Sequence, residues 1–170
     1  MSPLTSTLIA TALSLVLGPI AAVAATMGLA KATGRLDRLV DQQGRTGWLF
    51  AFAVGSRPWE FLVGLIRGLA LLLVVRLLAA ALNPSTMWPL VASAAIPMLS
   101  WEVWRLRFHA RFWPLAASTG VQSHNLAPVD AQRALANALE GGRRREGLMR
   151  VALLGDVAGI MLGSLLLFVQ

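Results

Sequence analysis

The chain contains no cysteine. Disulfides, cysteine zinc sites and iron–sulfur ligation are thereby removed, while the redox compartment is left open. Histidine is almost as scarce, with only His109 and His124. Both fall on the cytoplasmic side of the topology derived below, so no histidine pair is offered to a haem between membrane helices. Ser123 precedes His124 without an orienting acid or an elbow motif, which leaves nucleophilic catalysis without a platform. No glycine-rich phosphate loop and no metal-ligand spacing occurs, and no cofactor is expected. Charged residues are sparse, at 14%, and Lys31 is the only lysine among fifteen basic residues. That arginine bias, with abundant alanine, points to a GC-rich bacterial genome.

What the chain has in excess is apolar sequence. Hydrophobic residues make up 56%, and the mean hydropathy is +0.66. These values place the 170 residues among integral membrane proteins, as a single membrane domain over 1–170. The net charge of +7 would suit nucleic acid if it were spread over one face. It lies instead in two loops, so no nucleic-acid partner is expected.

Four transmembrane helices are expected, at about 8–30, 60–82, 88–108 and 150–169. The first is about 34 Å long as a helix, enough for a hydrocarbon core of roughly 30 Å. A cleaved signal peptide is its rival, since Ala22-Val23-Ala24 suits a small-residue peptidase, but no Lys or Arg precedes the apolar run. Gly18-Pro19 should kink this span, because proline removes a backbone donor and crowds the preceding turn. Between the first two spans, Leu36, Leu39 and Val40 recur at helical spacing. The apolar stretch 48–54 is too short to cross and reads as interfacial, re-entrant or packed on the bundle, with Trp48 at headgroup depth. Pro58 suits the first turn of the second span.

The second span ends at Asn83-Pro84-Ser85-Thr86, and Trp88-Pro89 opens the third, so the two read as a tight helical hairpin. The third is unconventional: Glu102, Arg105 and Arg107 follow its apolar part, with Trp101, Trp104 and Phe108 on one face and Glu102, Arg105 and His109 on another. Trp113-Pro114 should break it, with a polar loop over 116–127. A short amphipathic helix is expected over 128–140, stopped by Gly141-Gly142.

Thirteen of the fifteen basic residues fall in the segments 31–59 and 109–149 or at the adjoining span ends, and none lies on the opposite side. By the positive-inside rule those segments are cytoplasmic, and both termini face away from the cytoplasm. Arg67 and Arg76 are the exceptions, lying within the second span. Charge at the bilayer centre costs roughly 2.5–3.5 kcal/mol on the insertion scale, so each needs a partner or an exit. Asp156 sits in the fourth span at about the same depth as Arg67, and the two are read as a buried pair. Arg76, nine residues from Arg67, falls on the opposite face and reads as snorkelling or as meeting an acidic group of another subunit.

Gly155, Gly159 and Gly163 form a glycine zipper along the fourth span, and Gly64 and Gly68 repeat the spacing in the second. Small pairs Ala21/Ala25 and Ala24/Gly28 stand in the first. Such rows let backbones approach where lipid removes the hydrophobic force, either inside a four-helix bundle or against another chain. Arg143, Arg144, Arg145 and Arg150 precede the fourth span and offer a possible contact for anionic lipid, although fixing orientation is the stronger use of a basic run.

The four-span plan with non-cytoplasmic termini and a tight second hairpin resembles, in outline, the small membrane enzymes of glutathione and eicosanoid chemistry. The Arg, Asn and Glu cluster which that resemblance would place around the start of the second span is missing here. The expected function is a non-catalytic subunit of a larger complex in the bacterial inner membrane, with the bilayer and other membrane chains or further copies as partners. The alternatives are a self-assembling transporter or channel component with an Arg67/Asp156 polar pathway, and a small lipid-active enzyme.

Overall fold

The computed structural model describes residues 2–33, 56–122 and 127–168, and all its regular structure is helical. The expected segment around Trp48 and the Ser123-His124 pair lie outside the described residues. Helix α1 runs Pro3–Ala32, α2 Arg57–Leu82, α3 Trp88–Gln122 and α4 Pro128–Phe168.

Local chemistry sets the ends. The Ser2 hydroxyl accepts from the Thr5 backbone N–H at 3.2 Å, with proline in the first turn of α1. Ser56 precedes α2, whose first turn holds Pro58 and Glu60. Asn83 ends α2 in the left-handed region, at φ 45°, and its N–H reaches the Ala79 carbonyl. Asn is among the few residues that adopt this conformation cheaply, and Pro84 prevents the helix from continuing.

The helices pack in a ring ordered α1, α2, α4, α3. α2 packs most heavily on α4, and the two run parallel, with Gly64 near Ala152 and Gly163 near Leu72. α1 and α3 also run parallel, joined by a 2.6 Å hydrogen bond between the Ser14 and Ser93 hydroxyls. The short 83–87 connection does not produce the expected hairpin: α2 and α3 face each other across the ring and touch little.

Three helices, α1, α2 and α4, are long and apolar enough to cross a membrane; α3 is not among them. Their outer surfaces carry large apolar side chains, such as Leu8 and Ile20 on α1, Leu73 and Leu77 on α2, and Leu154 and Leu165 on α4. The interior is smaller and more polar. On α1 the buried residues are Ser6, Ala10, Ser14, Gly18, Ala22 and Thr26, one every four positions. This row differs from the small pairs noted in the sequence, for Ala24 and Gly28 are exposed. Each buried hydroxyl finds a carbonyl one turn back in its own helix, so it enters the interior without an unmet polar group.

Two expected breaks are absent. α3 continues through Pro97 and Pro114, and α4 runs through Gly141-Gly142 as one helix of 41 residues. A proline inside a helix costs about 3 kcal/mol and a glycine about 1. Packing between the helices offsets both. The Trp113 indole N–H donates to the Ala138 carbonyl at 2.9 Å, Arg145 lies over its ring at 5.2 Å, and His109 stacks on it with centroids 5.3 Å apart. Gly142 sits directly beneath the indole, where any Cβ would collide with the ring. At 1.5 Å per residue α4 is about 61 Å long, twice a hydrocarbon core, so the α3–α4 pair extends well past any membrane layer. The separate short helix expected over 128–140 is the first third of α4.

A buried ion network and the cavity beside it

Four ionised side chains meet where α2, α3 and α4 converge. Arg67 on α2 donates from Nε to Asp156 Oδ1 at 2.9 Å, and its Nη2 reaches Asp156 Oδ2 in the second arm of the same fork. Its Nη1 donates to Glu102 Oε1 on α3 at 2.9 Å. The other oxygen of Glu102 accepts from Arg105 Nη2 at 2.7 Å. The order is Asp156, Arg67, Glu102, Arg105, with formal charges that sum to zero. Asp156 is 0% exposed, Arg105 3%, Glu102 5% and Arg67 6%.

Each geometric feature has a sequence cause. Parallel packing of α2 on α4 brings Arg67 level with Asp156, and the glycines permit it. A Cβ on Gly68 would lie 2.7 Å from both the Asp156 carbonyl oxygen and the Ile160 nitrogen. One on Gly64 would strike the Ala152 carbonyl, and ones on Gly155 and Gly159 would strike the Phe61 and Leu65 carbonyls. The Gly163 position abuts Leu72 at 2.6 Å. All five glycines therefore lie in the α2–α4 seam, so the zipper is occupied within this chain. On α3, Glu102 and Arg105 lie three residues apart on one stripe, and Glu102 reaches across the ring to Arg67 on α2.

A guanidinium forked onto a carboxylate is the strongest geometry available to such a pair. At 4 Å and an effective dielectric near 20 the attraction is about 4 kcal/mol, against desolvation of the same order. The network ties α2, α3 and α4 to one another, and separating Arg67 from Asp156 or Glu102 within the interior would leave a charge uncompensated. Arg76, in contrast, is exposed and lies away from this cluster.

Beyond the network the stripe on α3 continues to His109, whose two ring nitrogens are buried without hydrogen-bond partners. Burial, then the nearby charge of Arg145, holds its pKa below the ordinary histidine value, with Glu146 opposing. The basic run is divided. Arg143 and Arg144 are exposed, Arg145 lies on Trp113, and Arg150 pairs with Glu146 one turn back. Among the described residues no group of three or more acidic or histidine side chains is placed to hold a metal.

A cavity of about 330 Å³ opens beside the network between α1 and α3. Its inner wall is Ala22, Thr26, Met98 and the polar pair Arg67 and Glu102, all at most 7% exposed. Val23 and Trp101, each nearly half exposed, stand at its mouth. Pro19 and Pro97 flank it from facing helices.

On the outer side of α3, Trp101, Trp104, Phe108 and Phe112 form a ladder of rings. Successive centroids are 5.0, 5.2 and 4.4 Å apart, and each side chain is 42–49% exposed. The spacing of the first three is visible in the sequence, and Phe112 extends it by one turn. Matching depth in the sequence pairs Arg67 with Asp156; the signal that Glu102 and Arg105 join them is the face they share with His109 on α3. No protein-family model matches the chain, and neither does any curated protein or solved structure.

Proposed function

We propose that this chain is a non-catalytic subunit of a larger complex in a bacterial inner membrane. All four helices cross in this reading, with the termini and the 83–87 turn on the non-cytoplasmic side and the far end of the α3–α4 pair in the cytoplasm. The side assignment rests on the one-sided distribution of basic residues.

The observation that carries the assembly is the aromatic ladder on α3. Four rings in one exposed stripe form a contiguous apolar surface, and such surfaces mark interaction sites. Aromatic residues are also the side chains that concentrate binding energy at interfaces. Asp156 and Glu102 favour a structural role, because both carboxylates are taken up by guanidinium groups. The bilayer and other membrane chains are the partners.

The experiment is native mass measurement after gentle extraction. The wild type is expected in an assembly of fixed stoichiometry with other chains. Trp104→Ala and Phe112→Ala should lower that assembled fraction while leaving the melting of the isolated chain unchanged. A wild-type monomer would overturn the proposal. The cavity reaching Arg67 and Glu102 favours a second reading, a self-assembling transporter or channel component with a polar path, for which the assembly would contain copies of this chain alone.

A further inference from the structure

We infer that the cavity between α1 and α3 is a lateral binding site for a single-chain amphiphile with an uncharged, hydrogen-bonding head, such as a monoacylglycerol. The volume of about 330 Å³ lies at the small end of the range for small-molecule sites. Its mouth, between Val23 and Trp101, is on the outer surface of the bundle, and Trp101 belongs to the exposed ladder. Entry is therefore sideways, from the layer in which the apolar outer side chains lie.

The head is identified by what waits inside. Arg67 and Glu102 both line the cavity, and both are more than nine-tenths buried. An apolar guest would place no hydrogen-bonding group against this polar edge, which is unfavourable in a buried site. An anionic head would approach Arg67 only by also approaching Glu102, and a cationic head meets the converse problem. The two arginines and two acids already balance, so no net charge remains to recruit either. A head bearing hydroxyls and an ester can accept from a guanidinium N–H and, through a hydroxyl, donate to a carboxylate lone pair without disturbing that balance. Its chain would run along Met98 and leave between Val23 and Trp101.

The full chain is reconstituted in phosphatidylcholine vesicles with a monoacylglycerol whose chain is dibrominated, a tryptophan quencher. The signal assigned to Trp101 is the quenching lost in Trp101→Phe. Saturable quenching is expected, displaced by unbrominated monoacylglycerol at concentrations at least tenfold lower than by the matching ionised fatty acid or hydrocarbon. Val23→Phe, which narrows the mouth, should weaken binding at least tenfold, whereas Val157→Phe on the outer face of α4 should not. Quenching that rises without saturation and is the same in Val23→Phe would show simple partitioning and overturn the site. Equal displacement by fatty acid or hydrocarbon would overturn the assignment of the head, and this arm needs no variant to fold.

Discussion

Replacing Arg67 by leucine removes three hydrogen bonds at once, two to Asp156 and one to Glu102. Asp156 then lies 0% exposed with its Arg67 ion pair gone, while Glu102 retains Arg105. Stripping one partner from a buried pair typically destabilises by about 3–5 kcal/mol, because the remaining charge is left uncompensated. For a chain of this size each kcal/mol lowers the midpoint by about 2–4 °C, so Arg67→Leu should melt roughly 6–20 °C below wild type. Asp156→Leu should lose a comparable amount. The double variant removes both charges and leaves the Glu102–Arg105 pair neutral, so it should be less destabilised than the sum of the singles by about 2 kcal/mol or more. The assay is tryptophan-detected melting in mild detergent. Additive effects would show that Arg67 and Asp156 do not hold each other.

Gly68→Leu should destabilise the isolated chain by about 1–3 kcal/mol or more, read as a lower melting midpoint, because its Cβ meets backbone on α4. Gly141→Ala faces open space inside a helix and should stabilise by about 0.5–1 kcal/mol. Lowering the pH below about 6.5 should loosen the α3–α4 pair. His109 is held neutral by burial and by Arg145, with Arg105 adding to the effect and Glu146 opposing it. Its depressed pKa gives stability present above the unfolded value and lost as pH falls through the folded one. His109→Phe should remove that pH dependence, read by hydrogen exchange over 105–113, and an unchanged profile would contradict it. Cysteines at Ser85 and Thr119 should label from opposite faces of the membrane; labelling from one face would contradict the proposed topology.

The pairing of Arg67 with Asp156 was legible because helical rise fixes depth and two lone opposite charges at one depth have few other partners. Glu102 and Arg105 were not legible as members, since the same residues also mark a helix leaving the membrane. Only the packing of α3 turns their stripe inward. Gly155, Gly159 and Gly163 announced a close approach, but a glycine row does not name the helix that fills it, and here that helix is α2. Trp113-Pro114 and Gly141-Gly142 are local stop signals that lost to contacts between helices, with Gly142 empty because the Trp113 ring lies on it. The 83–87 turn joined helices that face each other across the ring, since a short connection constrains the ends of two helices and not their length.

One buried network joins three helices of this chain. Its most direct test is the dipolar coupling between the Arg67 guanidinium nitrogens and the carboxyl carbons of Asp156 and Glu102, measured by solid-state NMR on the isotope-labelled chain in lipid. Signals would be assigned by their loss in Asp156→Asn and Glu102→Gln. Strong coupling to both carboxyl carbons is the predicted result. Coupling to neither, or to one alone with the other carboxylate in contact with water, would contradict it.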